Sequence, residues 1–257
     1  MTSTLTPNLG GTRTFITGGG TGIGREAAVA LASLGSTVTV AGRTLRTLDE
    51  TVAAVQNAGG GALAVVCDVT DEASVRNAVN VAAGETGTLA FAVNSAGVSG
   101  GDDMKPTAEY ATEMFDQMIA IDLRGTFLSM KYELKGMAAQ GFGSIVNVAS
   151  GAGLVGVAGF AGYAAAKHGQ IGLTKVAALD YGPQGIRVNA IAAGLVDTPL
   201  IAEGRSPETM AARIAAHPIG RIGRPEEIAD AIVWLCSNQS SFVTGVALPV
   251  DGGYVAR

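Results

Sequence analysis

Tyr163 and Lys167 stand four residues apart in Gly162–Tyr181, a stretch with helical character. On a helix, residues at that spacing share one face, one turn apart. Ser150 precedes Tyr163 by 13 residues and follows an apolar run, Ser144–Val148, that reads as a strand. A hydroxyl, a phenol and an ammonium brought together can move a proton. A free tyrosine titrates near 10 and is a poor acid–base group at neutral pH. A neighbouring ammonium favours the phenolate and lowers that value. Bringing it to about 7 requires about 4 kcal/mol of differential stabilisation. Taken alone, a helical Tyr-x-x-x-Lys describes a surface pair. A second feature gives this one weight.

That feature is the segment Arg13–Thr17, which runs into Gly18-Gly-Gly-Thr21-Gly22-Ile23-Gly24 and then into a helical pattern. Glycines after a strand let the backbone turn tightly and approach a pyrophosphate. The helix behind them offers free N–H groups and the positive end of its dipole. The spacing differs from the commoner Gly-x-Gly-x-x-Gly.

Elements that could position these groups alternate along the chain. Strand candidates are Arg13–Thr17, Thr37–Ala41, Ala62–Asp68, Leu89–Asn94, Ser144–Val148, Arg187–Ala192 and Val246–Val250. Most are continuous apolar runs, as strands buried on both faces of a parallel sheet are. Helix candidates between them are Ile23–Leu34, Leu45–Ala58, Asp71–Gly84, Thr112–Gln140, Gly162–Tyr181 and Pro225–Cys236. Asp71 reads as an N-cap, and Pro225-Glu226-Glu227 as a helix start. The alternation implies an α/β fold: one Rossmann-type, doubly wound parallel sheet of about seven strands with helices on both faces. No linker or repeat divides residues 1–257, so a single domain is expected. The loosest segment, Thr198–Gly223 with the short helical piece Glu208–Ala215, follows a strand C-terminus, where open α/β sheets place ligands. It reads as a substrate lid spanning about 195–223.

Composition excludes several alternatives. The 257 residues carry a net charge of −5, and 47% are hydrophobic, enough for a large core. With that charge there is no positive field to draw nucleic acid or an anionic membrane. Cys67 and Cys236 are too few for a disulfide framework, and His168 and His217 too few for a multi-histidine metal centre. No signal peptide is read in Met1–Gly11, so a reducing cytoplasm is expected. Gly136–Ala166 holds no charged residue, but its glycines and polar residues suit a buried strand and loop better than a membrane span. Charged residues are only 15% of the chain, which suggests surface covered by partner subunits.

The motif Thr17-Gly-x-x-x-Gly-Ile-Gly24 resembles the cofactor turn of the short-chain dehydrogenase/reductase family, and further motifs follow in order. Cys67-Asp68-Val69 resembles the strand end that meets the adenine. Asn94-Ser95-Ala96-Gly97 resembles the family's Asn-Asn-Ala-Gly. Ser150, Tyr163-x-x-x-Lys167, Arg187-Val-Asn189 and Val250-Asp251-Gly-Gly253 complete the series. The resemblance extends from about Gly11 to Gly253. It implies an oxidoreductase that transfers hydride between a nicotinamide and a ketone or secondary alcohol. Tyr163 would be the proton donor, Ser150 the hydrogen-bond donor to the same oxygen, and Lys167 the holder of the nicotinamide ribose and tuner of Tyr163. It implies cofactor contacts from Gly18, Thr21, Gly22, Ile23, Gly24, Asp68, Val69, Asn94, Ala96, Gly97, Gly194, Val196 and Thr198, and a homotetramer. The family's fourth catalytic residue, an asparagine, is here Asp122. Family asparagines act largely through the backbone carbonyl, which Asp122 also has, so it is kept as catalytic. An ionised Asp122 near Lys167 would weaken the lysine's pull on Tyr163 and shift the optimum to higher pH; pairing of Asp122 with Arg124 is the alternative. Ala193-Gly194 replaces the usual Pro-Gly, and Ser95 the second asparagine.

After the second strand, Val40-Ala41-Gly42-Arg43 places no acid where one would accept the adenosine 2′-hydroxyl. Arg43 offers a planar cation suited to a 2′-phosphate, with Thr44 and Arg46 beside it. NADP(H) is therefore favoured over NAD(H). Val98, Leu154, Val155, Phe160, Leu195, Leu200, Ile201 and Met210 are candidate walls for an apolar carbonyl or alcohol substrate, with Arg205 and Arg213 as candidate carboxylate contacts. The alternatives are an NAD-dependent alcohol dehydrogenase, a 3-oxoacyl thioester reductase with the same site, and a non-catalytic cofactor sensor on this fold.

Overall fold

The computed structural model describes residues 7–85, 87–99, 104–202 and 206–256. Seven strands, β1 (Arg13–Thr17), β2 (Thr37–Gly42), β3 (Ala62–Val66), β4 (Phe91–Asn94), β5 (Gly143–Ser150), β6 (Ile186–Ala193) and β7 (Ala247–Val250), form one sheet. Their order is β3-β2-β1-β4-β5-β6-β7, and every pairing is parallel. The order reverses between β1 and β4, where a sheet of this type opens a crevice at its C-terminal edge.

Successive strand residues face opposite sides, so each strand feeds two cores. Ile16, Val40, Val93, Val146 and Ile191 pack under α1 (Gly22–Ser33), α2 (Leu45–Asn57) and α9 (Pro225–Cys236). Phe15, Ala41, Ala92, Ile145 and Val188 pack under α3 (Glu72–Ala83), α5 (Gly125–Gln140) and α6 (Ala161–Tyr181). Both faces being covered explains why the strands read as unbroken apolar runs.

Helix starts follow local chemistry. Asp71 Oδ1 accepts from Ala73 N at 2.9 Å and caps α3. Pro225 opens α9, and Glu227 Oε2 accepts from Arg224 N at 2.8 Å. Hydrogen bonds from Arg221 pull the Glu227 carboxyl down to about 2.

The elements differ from expectation in instructive places. β3 ends at Val66, two residues before Asp68, because the Asp68 carboxylate closes a turn on Thr70 N and Oγ1 at 2.9 and 2.7 Å. The expected helix Thr112–Gln140 consists of α4 (Thr112–Met118), a π turn at Ile119–Arg124, and α5. In that turn the Asp122 carbonyl accepts from Thr126 Oγ1 at 2.8 Å and from Gln170 Nε2 at 2.9 Å, and such insertions into the ladder widen a helix locally. The charge-free stretch is the end of α5, β5, a 3-10 turn at Gly151–Gly153 and the start of α6. No helix among the described residues is long and apolar enough to cross a membrane. The segment expected as a lid carries α7 (Pro199–Ala202) and α8 (Pro207–Ala215), and a bridge between Val196 and Gly223 closes its base. Arg205 lies outside the described residues.

Candidate active site

A cleft of about 560 Å³ opens at the C-terminal edge of the sheet, above β1, β4, β5 and β6. Gly18 turns the chain at its floor with φ +65, and a Cβ there would lie 2.7 Å from Ala96 N. Only glycine allows both the conformation and the approach. Ala96 N also donates to Thr17 Oγ1 at 3.3 Å, which ties the turn after β1 to the end of β4. Thr21, at the N-cap of α1, makes no side-chain hydrogen bond to the helix. The N–H groups of the first turn are thus left for an anionic ligand.

At the far end of the cleft stand exposed Arg43 and half-buried Asp68. The N–H and hydroxyl of Thr70 hold the Asp68 carboxyl below the usual carboxylate range, and Arg43 adds to the effect.

The opposite end holds the proton-transfer candidates. Ser150 is the last residue of β5, in register with Ala193 of β6, and its Oγ accepts from Ala152 N at 3.2 Å. Tyr163 and Lys167 project from the first two turns of α6, with the lysine Nζ 5.5 Å from the centre of the tyrosine ring. Lys167 is only 5% exposed and donates to Val148 O at 3.3 Å. Phe160 meets the Tyr163 ring edge-on at 6.2 Å.

Behind this group lies Asp122. Its side chain is fully buried, with Oδ1 accepting from Val98 N at 3.0 Å and standing 3.9 Å from Lys167 Nζ. Burial raises its pKa, against the opposing pull of Lys167 and the Val98 N–H. A Cβ on Gly97 would lie 2.5 Å from Oδ1, so glycine there admits the carboxyl. Arg124 instead donates to Thr70 O at 2.6 Å, so the alternative pairing of Asp122 with Arg124 is not formed.

Of the expected site residues, Gly18, Thr21, Gly22, Ile23, Arg43, Asp68, Val69, Ala96, Gly97, Ser150, Tyr163, Lys167, Gly194, Val196 and Thr198 border the cleft. Gly24, Asn94 and Asp122 do not border it. A Cβ on Gly24 would lie 2.4 Å from Gly18 O, so it packs the turn, while Asn94 is buried under the end of β4. Val98, Leu200 and Ile201 border the cleft; Leu154, Val155, Phe160, Leu195 and Met210 do not. Arg213 lies over the Phe160 ring at 5.2 Å. Sequence reasoning missed Thr47 and Ile121, which also border the cleft. Thr47 meets the glycine turn only in the fold, where a Cβ on Gly20 would lie 2.5 Å from its hydroxyl. Ile121 is placed by the π turn, which left no pattern to read.

Residues 18–255 match the family model described as Enoyl-(Acyl carrier protein) reductase. The chain is 41% identical over 243 residues to cyclohexanol dehydrogenase of Acinetobacter sp. (strain SE19), covering 95% of this chain and 94% of that one. It is 44% identical over 241 residues to cis-4-hydroxycyclohexanecarboxylate dehydrogenase of Sinomonas cyclohexanicum, covering 94% and 95%. The crystal structure of levodione reductase superposes with a TM-score of 0.91 at 37% identity, covering 95% and 98%. The chain belongs to the short-chain dehydrogenase/reductase family, and its chemistry is oxidoreduction between secondary alcohols and ketones.

Proposed function

We propose that this protein is an NADP(H)-dependent dehydrogenase/reductase of alicyclic secondary alcohols and ketones. The observation that carries the reading is the meeting of Ser150, Tyr163 and Lys167 with the Gly18 turn in one cleft. The cleft fits a dinucleotide. Gly18 leaves open the space a Cβ would fill, and no side chain caps the first turn of α1. Gly18, Thr21, Gly22 and Ile23 would hold the phosphates, Asp68 and Val69 the adenine, and Gly194, Val196 and Thr198 the nicotinamide end. Arg43, with no acid at Gly42, supports the choice of a 2′-phosphate.

When bound, the nicotinamide supplies or accepts the hydride. Tyr163 then gives its phenolic proton to the substrate oxygen in reduction and takes it back in oxidation. Ser150 Oγ donates to the same oxygen and fixes its position. Lys167 would hold the ribose hydroxyls, its Nζ standing 5.5 Å from the centre of the Tyr163 ring. Val98, Leu200 and Ile201 give the substrate end an apolar wall. Such a wall suits a saturated ring, the kind of substrate named for two relatives.

The test is oxidation of cyclohexanol and reduction of cyclohexanone, each with NADP(H) and NAD(H). Turnover with NADP(H) preferred is expected. Turnover confined to a 3-oxoacyl thioester would move the substrate class, and inactivity on all of them would favour a cofactor sensor. We also propose a homotetramer, supported by the exposed apolar side chains Val176 and Leu179 on α6 and Phe127 on α5. Light scattering measures it directly.

A further inference from the structure

Glu133 sits in α5 three residues after Met130 and four before Met137, so it shares their buried face, while Lys131 and Lys135 lie on the opposite side. The structure buries its side chain completely. Glu133 Oε2 accepts from Asn94 Nδ2 at 3.0 Å, and the same amide donates to Asn147 Oδ1 at 3.0 Å. Asn147 Nδ2 donates to Thr174 Oγ1 at 2.9 Å, which donates to Gln170 O at 2.8 Å. The chain of contacts joins α5, β4 and β5 to α6, the helix that carries Tyr163 and Lys167.

Two acceptors in this group, Glu133 Oε1 and Asn94 Oδ1, are buried without a donor. They belong to the two side chains already joined by the Asn94 Nδ2–Oε2 bond. A buried acceptor left unpaired destabilises the fold, more so if charged. One proton on Oε1 removes the charge and gives Asn94 Oδ1 a donor, closing an acid–amide pair held by two hydrogen bonds.

We propose that Glu133 is a positioning residue that works as a neutral acid, its carboxyl proton joined to Asn94 Oδ1. The pair fixes the end of β4, from which Ser95, Ala96 and Gly97 extend to border the cofactor cleft. Burial, partly offset by the Asn94 N–H, pushes the Glu133 carboxyl up to about 8. Asn94 on β4 is its hydrogen-bond partner, and beyond it Asn147 on β5 and Thr174 on α6 continue the network, all uncharged. Arg76 on α3 and Tyr132 and Lys135 on α5 line the surface groove beside it, while Glu72 on α3 is engaged by Lys131 and Tyr132.

The sign follows from linkage. An acid whose folded pKa lies above its unfolded value stabilises the fold below both, and loses that contribution as pH rises between them. From about pH 5 to 8, this group alone raises the unfolding equilibrium constant by about tenfold per pH unit. Above about 8 the effect levels off, because the folded state then releases the proton too.

The test compares the wild type with Glu133→Gln, whose amide supplies the same donor and acceptor at every pH. Three readings are expected. The thermal midpoints match near pH 5 and diverge in favour of the variant up to about pH 8. Infrared spectra show a protonated-carboxyl band in the wild type at pH 6 that the variant lacks and that fades near pH 8. NADPH affinity of the wild type falls above pH 8 by more than that of the variant. Parallel thermal profiles, absence of the band, or a variant that fails to fold would overturn the proposal. The affinity reading rests on the proposed cofactor; the thermal and infrared readings do not. Failure of NADPH binding at every pH would therefore count against the cofactor and leave Glu133 judged by the other two.

Discussion

At the end of the cleft where we propose the adenosine lies, the charged side chains, Arg43 and Asp68, are exposed or half-buried, and the surroundings are backbone turns. At the catalytic end the titratable groups are interior: Lys167 is nearly buried, and Asp122 and Glu133 are fully so. All four buried side-chain acceptors without a donor among the described residues, on Asn94, Asp122, Glu133 and Gln170, lie behind this end. The first end offers an exposed charge that solvent and salt can screen. The second works in a low dielectric, where a charge or a proton displaced by one bond acts on its neighbours with little screening. Salt should therefore weaken selectivity at the first end more than chemistry at the second.

The contrast can be broken most directly at Tyr163. Tyr163→Phe should lower kcat by about 10²–10⁴-fold while cofactor affinity stays near wild type, measured by steady-state kinetics and cofactor titration. Unchanged kcat would remove the proton donor from the catalytic end. Gly18→Ala adds a strained φ and a contact with the Ala96 backbone, so it should cost about 1–3 kcal/mol, seen as a lower thermal midpoint and weaker cofactor binding. Arg43→Ala should weaken NADPH by about 1.5–3 kcal/mol and leave NADH unaffected, by calorimetry at low salt. Equal losses for both cofactors would deny the 2′-phosphate contact. The smallest effect is expected from Asp122→Asn. It removes a carboxyl 3.9 Å from Lys167, so the pH–rate profile should move to lower pH. A profile that does not move would mean that Asp122 is neutral when the enzyme works.

What the sequence disclosed follows the same division. The Gly18 turn, the apolar strands and the pairing of Tyr163 with Lys167 are local patterns, fixed by spacing of three, four or two residues. They were legible because each depends on its own segment. Asp122 was legible as a departure, but its fully occupied carbonyl was not, since Gln170 lies 48 residues away. Glu133 was harder to read. Its spacing from Met130 and Met137 sets it on the apolar stripe of α5, but a long acid on such a stripe can reach back to water, and only the packing of α5 against β4 and β5 closes that route. Substrate walls were half legible: an apolar residue beside the lid serves the core as readily as the cleft, as Leu195 does.

The π turn at Ile119–Arg124 sits upstream of Glu133 and carries Asp122, so both buried acids depend on the same local widening. In an α-helix each residue advances the chain by about 100°. A π turn takes up one residue more than an α turn, so deleting one residue within it would let the helix close to α geometry and leave α5 in phase with α4. The same deletion inside α5 ahead of Glu133 would instead act as a rotation of about 100°, carrying Glu133 off Asn94 and Lys131 toward the strands. The spare residue works as slack in the phase of the helix, and a length change of one should be better tolerated in this turn than in α5 itself.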